Sequence, residues 1–146
     1  IGQIVGGNSA VGRKIKEAFL AKTPALAKLR EKVKKFAEKG SLPGLDGRRL
    51  YVRSPHKALN TLLQGGGAAV MKVALVVFDQ ELRSLGIPYR FLLNVHDEVQ
   101  VETPTKYAEQ VAKLGVEAIK QAGVVLKLRC PLDGEAKIGA NWRQTH

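Results

Sequence analysis

The sequence predicts an α+β fold, in which an antiparallel sheet carries helices on one face. Residues 13–40 show apolar residues at helical spacing, and a long helical pattern covers residues 55–85. Two pairs of β-rich segments, within residues 45–53 and 89–103, are each joined by a short turn. This order of helices, hairpin, long helix, hairpin, helix and short strands favours helices packed against an antiparallel sheet.

Length and composition indicate one globular domain with an anionic partner. The chain has 146 residues, of which 45% are hydrophobic and 25% are charged, which is enough for one sizeable core. Lys and Arg number 24 against 13 acidic residues, so the net charge is +11. This excess favours nucleic acid, ahead of an acidic membrane surface, as the partner.

Three features bear on the compartment and on the extent of the chain. Cys130 is the sole cysteine, which excludes an intramolecular disulfide framework and fits a reducing, cytoplasmic compartment. No apolar run approaches the ~20 residues of a membrane span, and nothing resembles a signal peptide, so we expect no membrane association. Because the first residue is Ile1 rather than Met, we expect a piece of a larger protein, a processed product or a trimmed one.

Two helices are predicted at the N-terminus. The first covers residues 13–20, with Asn8 as a candidate cap. The second has Thr23 as its N-cap and Pro24 at its first helical position, and it ends near Gly40. Its basic face is either simply solvated or in contact with a phosphate backbone. Its apolar stripe comprises Leu26, Leu29, Val33 and Phe36, and its basic face comprises Lys28, Arg30, Lys32, Lys34, Lys35 and Lys39.

The segment LDGRRLYVR at 45–53 predicts a β-hairpin or a bent strand pair around Asp46 and Gly47. Arg48, Arg49 and Arg53 are candidates for holding the phosphates on either side of a groove. An ordinary exposed basic strand fits the same pattern equally well.

Pro55 is predicted to start a helix that runs to about Leu85, with an interruption at glycines 65–67. Three glycines inside a helix cost about 1 kcal/mol each relative to alanine, so we expect a packing or ligand reason for them. Polar side chains recur every four residues near the start of this helix and form one slowly winding stripe. Neutral donors suit the minor groove, where every base pair offers acceptors, although a solvent-facing helix edge is the alternative. The stripe comprises His56, Asn60 and Gln64, and Ala58, Leu59, Leu62 and Leu63 can face a core.

The chain is organised around the segment YRFLLNVHDEVQVET at 89–103. The apolar run 91–95 predicts a buried strand, and the alternating run 99–101 predicts a half-buried partner strand. Between them, His96, Asp97 and Glu98 form a turn. An unpaired carboxylate in an apolar hairpin is costly, so a divalent metal ion near phosphate is a natural neighbour, with a polar surface turn as the alternative. Asp97 is the best single metal ligand. Because neighbouring residues on a strand point to opposite faces, Asp97 and Glu98 can bind the same ion only if the turn reorients one of them.

The C-terminal third predicts one more helix and short strands. The helix begins at Thr103-Pro104, has a core-facing stripe and ends at Gly123. Residues 124–128 and 135–138 are predicted strands, separated by a turn at 133–134. The core-facing stripe comprises Tyr107, Val111, Leu114 and Ala118.

Several catalytic signatures are missing from the sequence. It has no GxxxxGK[ST] phosphate loop, no dinucleotide-binding glycine motif, no Cys/His zinc spacing and no GxSxG elbow. Phosphoryl transfer on nucleic acid remains the leading enzymatic interpretation.

Five segments, in order, resemble family A (Pol I-like) DNA polymerases, nearer to phage replicative enzymes than to cellular repair enzymes. NVHDEVQVET at 94–103 resembles motif C, at the tip of a palm hairpin. GRRLYV at 47–52 and HKALNTLLQG at 56–65 are similar to the palm segment and minor-groove helix before that motif. IGQIVG at 1–6 resembles the stretch after the fingers helix, and PLDGEAKIGANW at 131–142 resembles the C-terminus.

The resemblance implies a function for this chain. It implies template-directed addition of nucleotides from dNTPs to a primer 3′ end, with two Mg²⁺ ions and primer-template DNA as ligands, in the cytoplasm of a bacterium or a bacterial host. It also implies residues 1–40 as a helical segment after the fingers and residues 41–146 as the C-terminal palm subdomain. By position, Asp97 becomes a metal-binding catalytic aspartate, Glu98 its acidic neighbour and His96 a residue near the primer terminus. Asn60 and Gln64 become minor-groove contacts, with His56 where many cellular relatives have arginine.

The motif A aspartate and the fingers helix of the family are not among these 146 residues. We therefore expect activity to need the N-terminal remainder, on the same or a separate polypeptide. Two other classes stay open: a non-catalytic nucleic-acid-binding module derived from a palm, and a structural protein–protein module whose charge only maintains solubility.

Overall fold

A computed structural model describes residues 3–4 and 6–145. It confirms the α+β fold, with five α-helices and two antiparallel two-stranded sheets in this part of the chain. The terminal His146 and parts of the stretch 1–6 lie outside the described residues. In chain order the elements are α1 (Ser9–Lys22), α2 (Pro24–Ala37), β1 (Ser41–Pro43), β2 (Arg49–Tyr51), a 3-10 turn (Pro55–Lys57), α3 (Ala58–Ser84), β3 (Arg90–Val95), β4 (Glu98–Glu102), a 3-10 turn (Thr105–Tyr107), α4 (Ala108–Val125) and α5 (Trp142–Thr145).

The chain divides into two compact units. Unit 1 comprises residues 1–43 and 49–62, and unit 2 comprises residues 44–48 and 63–146. Each unit has its own apolar cluster. The predicted palm boundary at residue 41 remains a prediction.

Helix α2 begins as predicted, whereas α1 begins at Ser9, four residues before its predicted start. Asn8 caps α1, since its side-chain oxygen accepts hydrogen bonds from the backbone N–H groups of Ala10 and Val11. Pro24 stands at the start of α2. The side chain of Thr23 does not cap α2, because its hydroxyl instead donates to the carbonyl of Phe19 at 2.8 Å.

The apolar stripe of α2 is narrower than predicted. Val33 and Ala37 are buried, and they pack with Leu42 of β1 and Ala58 in the cluster of unit 1. Two predicted members of the stripe, Leu29 and Phe36, are exposed. Strands β1 and β2 pair around Gly47, which agrees with the predicted hairpin, although β1 precedes the predicted segment 45–53. The positive φ of 80° at Gly47 suits glycine.

Helix α3 runs without a break through glycines 65–67, so the predicted interruption is wrong. Glycine lowers helix stability but keeps its backbone N–H, so the hydrogen-bond ladder can continue. Together with the preceding 3-10 turn, Pro55–Ser84 is the one helical stretch in the described chain that is long and apolar enough to cross a membrane. This exceeds what the sequence predicted, yet one such stretch is weak support for a span, because core helices of other proteins meet the same criterion.

Helix α3 ends at the predicted glycine, and the second hairpin follows it as predicted. Gly86 has a positive φ of 63°, and the N–H of Ile87 returns to the carbonyl of Leu82 at 3.0 Å, which closes the helix. Strands β3 and β4 are antiparallel, with Phe91 opposite Val101. The register then shifts by one residue at Leu92, so the later side chains of β3 change faces.

The prediction that β3 is buried is wrong within this chain. Leu92, Leu93 and Val95 are 52%, 46% and 42% exposed. The bulge at Leu92 is part of the reason, because it turns Leu93 and Val95 to the face opposite Phe91. Strand β4 is half-buried, as predicted.

Two helices pack on one face of this hairpin. Phe78 and Leu82 of α3 and Val111 and Ala118 of α4 form the core of unit 2. Phe91 and Val101, which face each other across the hairpin, pack against that core. The arrangement matches the predicted sheet with helices on one face.

The strands predicted at 124–128 and 135–138 do not form. Helix α4 continues past Gly123 to Val125, and residues 131–139 have no regular structure. Gly123 is buried inside α4, where an added Cβ would lie 3.1 Å from Leu132. Glycine at this position lets Leu132 approach the helix closely, and the helix ends two residues later, at Val125.

Candidate functional site

Asp97 lies at the tip of the second hairpin, in the turn between β3 and β4. The turn is tight, and His96 adopts a left-handed conformation with φ of 56° to close it. Asp97 is exposed, and in the described part of the chain its carboxylate forms no hydrogen bond or ion pair. A free carboxylate on a well-defined turn is available to a cationic ligand.

Glu98 differs from Asp97 in its surroundings. It is half-buried at the first position of β4, opposite Val95. Its carboxylate accepts a hydrogen bond from the side-chain amide of Gln100, two residues further along the same strand face. The amide oxygen of Gln100 in turn accepts a hydrogen bond of 3.3 Å from the hydroxyl of Thr145 in α5. The C-terminal helix is thereby linked to the acid beside Asp97.

A cleft of about 860 Å³ lies next to this hairpin, within unit 2. Asp97, Glu98 and the rest of β4 form one side of it. Its other walls come from α3, α4 and the C-terminal segment 135–142. Asp97 therefore borders open space that a ligand can enter.

The donor set here fits part of a hard-cation site. Magnesium prefers oxygen ligands and is commonly held by one or two carboxylates together with water and phosphate oxygens. Asp97 supplies one free carboxylate, and Glu98 supplies a second that is already hydrogen-bonded. Across residues 3–4 and 6–145, no group of three or more His, Cys, Asp or Glu side chains comes together in a way that could hold a metal ion. A two-metal centre at this position would need ligands from outside the described residues.

The three members of the polar stripe are all exposed. His56 lies in the 3-10 turn, and Asn60 and Gln64 lie one turn apart on α3. None forms a side-chain hydrogen bond in the described part of the chain. Leu63, predicted to face a core, is instead 61% exposed beside this stripe.

The three arginines of the first hairpin differ in their availability. Arg48 lies in the turn, where its Nε is 2.5 Å from Oδ2 of Asp46. Burial acts to raise the pKa of Asp46, but hydrogen bonds from the backbone and guanidinium of Arg48 outweigh it and leave that pKa lowered. Arg49 opens β2, Arg53 follows it, and both are exposed without an ion-pair partner in the described chain. These two are the freer phosphate ligands.

Gln100 and Thr145 are contacts of the site that sequence reasoning missed. The signal for Gln100 was present, because alternation along β4 places it on the same face as Glu98. No sequence pattern indicated Thr145, which is 45 residues away from Gln100.

Comparison with known proteins gives the family. The model of DNA polymerase family A matches residues 2–144. The DNA-directed DNA polymerases of Enterobacteria phage T3 and Escherichia phage T7 are each 37% identical to this chain, over 100% of its length and 24% of theirs. DNA polymerase I of Aquifex aeolicus is 33% identical over 88% of this chain and 23% of its own. The chain thus spans about a quarter of the length of these curated relatives.

A solved structure agrees with the sequence matches. The polymerase domain of Pol1 from M. smegmatis, in complex with DNA primer-template and dNTP, superimposes with a TM-score of 0.73 at 25% identity. The similarity covers 83% of this chain and 24% of that one. Since the family match extends over nearly every residue, and the fold agrees with it, this chain belongs to DNA polymerase family A.

Proposed function

We propose that this chain forms the part of a DNA-directed DNA polymerase palm that carries one catalytic carboxylate and the minor-groove contacts to the primer end. The observation that carries the proposal is Asp97, a free and exposed carboxylate at a hairpin tip that borders an open cleft. Membership of family A and the primer-template and dNTP bound by the M. smegmatis enzyme support the substrate class.

In this proposal Asp97 is a ligand of Mg²⁺, and Glu98 is the neighbouring acid. When bound, Mg²⁺ neutralises charge on the transferring phosphoryl group and on the primer 3′ oxygen. Asp97 holds its carboxylate toward the cleft, and Gln100 fixes the carboxylate of Glu98 through its amide. His96, next to them in the turn, is proposed to lie near the primer terminus.

The exposed stripe of His56, Asn60 and Gln64 is proposed to contact the minor groove. Purine N3 and pyrimidine O2 accept hydrogen bonds at similar places in every base pair. Amide donors at these positions therefore test base-pair shape without reading sequence. Arg49 and Arg53 are proposed as phosphate contacts, with Arg48 available once it exchanges Asp46 for a phosphate.

Activity is proposed to require further polypeptide. In the described part of the chain no third metal-binding side chain joins Asp97 and Glu98, and a centre that holds two ions needs a further carboxylate. The relatives are about four times as long as this chain, so their remaining length can supply that acid and the dNTP-binding side chains. We expect the 146-residue chain by itself to give no primer extension.

The test is Asp97→Asn in the polymerase that contains this segment, assayed by primer extension and by DNA binding. Loss of one catalytic carboxylate should lower the extension rate by at least about 10³-fold, on the scale of lost electrostatic stabilisation at a phosphoryl centre. Affinity for primer-template should stay nearly unchanged, because Asp97 carries negative charge and holds no phosphate directly.

Asp133→Asn is the matched control. Asp133 is an exposed aspartate in the same unit; its Oδ1 accepts a 2.9 Å hydrogen bond from the N–H of Gly134 and lies 3.6 Å from Nζ of Lys120. It should extend primers at the unaltered rate. Unchanged turnover in Asp97→Asn would remove Asp97 from the metal site.

A second candidate is a nucleic-acid-binding palm that does no chemistry. The observation that favours it is the absence of a three-ligand acidic cluster in the described residues. If the polymerase containing this segment binds primer-template but never extends it, with or without the Asp97 substitution, this second function is the correct one.

A further inference from the structure

The positive charge of the chain is concentrated in one unit. Unit 1 has 13 basic and three acidic side chains, a net charge of +10, in 57 residues. Unit 2 has 11 basic and ten acidic side chains, a net charge of +1, in 89 residues. Asp97 and its cleft lie in the nearly neutral unit, so the charge excess calls for a separate explanation.

Four lysines of unit 1 form a line on α2. Lys28, Lys32 and Lys35 fall within about 60° of one another around the helix axis. Lys39 follows one turn later, where the backbone at Glu38 is still helical. At about 1.5 Å of rise per residue, these four lysines, here called the lysine stripe, extend over about 16 Å.

The lysine stripe points away from the core of its unit. Val33 and Ala37, the buried residues of α2, lie on the opposite side of the helix. All four lysines are exposed. The packing of α2 therefore orients the lysine stripe away from the core, and the four lysines take no part in that packing.

Nothing in the described chain neutralises the lysine stripe. Its members form no salt bridge there, although Glu31 and Glu38 lie along one side of it. Of the four lysines, Lys39 alone contacts an aromatic ring in the described part of the chain. Its ammonium lies 5.8 Å from the centre of the Phe36 ring. Four like charges on one ridge repel one another, so an external anion lowers their energy.

We propose that the lysine stripe is a second nucleic-acid contact, which binds a phosphate backbone beyond the primer end held by α3. A strand of DNA carries one phosphate per ~3.4 Å of helix axis, so about five phosphates face a ridge of this length. A lysine ridge without donors of other kinds carries no base readout, so the contact is independent of sequence. It does not depend on metal binding at Asp97.

The test replaces Lys28, Lys32, Lys35 and Lys39 by Gln together, in the polymerase that contains this segment. Binding is measured without divalent metal or dNTP over a range of salt concentrations, on a long primer-template duplex and on single-stranded template. We expect the affinity at 0.1 M salt to fall by about tenfold or more. The slope of log K against log salt should flatten by about 0.9 per engaged lysine on duplex, or by about 0.7 per engaged lysine on a single strand. The DNA form for which the salt slope flattens is the form that binds the lysine stripe.

The control replaces four exposed lysines of unit 2, Lys106, Lys113, Lys120 and Lys127, by Gln. It removes the same net charge, so a purely long-range effect would weaken binding equally in both variants. A four-fold Lys→Arg variant of the stripe keeps the charge and should keep the affinity, which separates lost contacts from lost folding.

Equal losses in the stripe and control variants would overturn the proposal, as would an unchanged salt slope on both DNA forms. So would weakened binding to an acidic protein partner of the polymerase with DNA binding intact, since the stripe would then be a protein-docking surface. On a primer-template too short to reach the lysine stripe, the variant with four Lys→Gln changes in the stripe should extend primers at the rate of the unaltered polymerase.

Discussion

In unit 2, Asp79 joins an ion pair to an aromatic side chain of the core region. It accepts a hydrogen bond from the hydroxyl of Tyr89, and its Oδ2 lies 2.8 Å from Nε of Arg83. The hydrogen bond from Tyr89 is the largest cause of the lowered pKa of Asp79; burial acts against it, and Arg83 lowers it further. The ring of Tyr89 also packs edge-on against Phe91, so this group ties the start of β3 to α3.

This group predicts a pH-dependent effect for Tyr89→Phe. A carboxylate with a lowered folded pKa contributes stability that is complete above its ordinary value and is lost as the pH falls through the folded value. The variant should therefore unfold more easily than the natural chain near neutral pH. The difference in free energy of unfolding should shrink below the ordinary value of 3.8. Urea denaturation at several pH values measures both.

Tyr107→Phe is the control for that prediction. Tyr107 packs against the same core, and its hydroxyl has no hydrogen bond in the described residues. Removing it should give a difference that does not vary between neutral and acidic pH. If the two variants respond to acid alike, the Tyr89–Asp79 contact does not stabilise the fold.

Helix α3 is the element whose sequence departs furthest from what stability alone favours. Glycines 65–67 lie in its unbroken first half, and an added Cβ at Gly66 or Gly67 would meet nothing within 4 Å. Packing inside the described chain therefore does not require these two glycines. The remaining interpretation is that another surface, the DNA backbone in our proposal, approaches the helix there.

The double substitution Gly66→Ala and Gly67→Ala tests that interpretation. In the chain itself, alanine should raise the free energy of unfolding by about 1 kcal/mol per site, because it favours the helix and meets open space. In the polymerase, the same change should weaken primer-template binding. A more stable chain with unchanged DNA affinity would show that nothing approaches α3 closely at these positions.

At the scale of the whole molecule, the chain forms two small apolar cores, and many of its apolar side chains remain exposed to solvent. Leu82 is fully buried in unit 2, whereas Leu63, Val76 and Leu92 are more than half exposed. The chain also spans about a quarter of its phage relatives. A large uncovered apolar surface is typical of a face that another polypeptide covers, which supports our proposal that activity requires further polypeptide.

Leu82→Ala should show how much unit 2 depends on its core. Deleting a fully buried leucine side chain costs about 2–5 kcal/mol, including the cavity that remains. Leu63→Ala, on the same helix and mostly exposed, should change the free energy of unfolding by less than about 0.5 kcal/mol. Urea titrations of both variants measure the contrast, and equal losses would mean that the core does not hold unit 2 together.

The sequence by itself determined the local structure and the family. Apolar spacing of 3 and 4 residues predicted α2 and α4, and glycine with alternating β-rich residues predicted both hairpins, because these signals act over a few neighbouring residues. The motif around Asp97, together with the four other segments in the order of the family, indicated family A, which the family match confirms.

Only the tertiary structure decided which apolar residues are covered and which polar groups meet. The bulge at Leu92 turned half of β3 outward, and Leu132 packs closely against Gly123 of α4. Thr145 reached Gln100 across 45 residues, and Asp97 was left free while Glu98 was hydrogen-bonded. The contact of Thr145 joins residues far apart in the chain, and local spacing does not carry that information because side chains compete for partners only after the elements have packed.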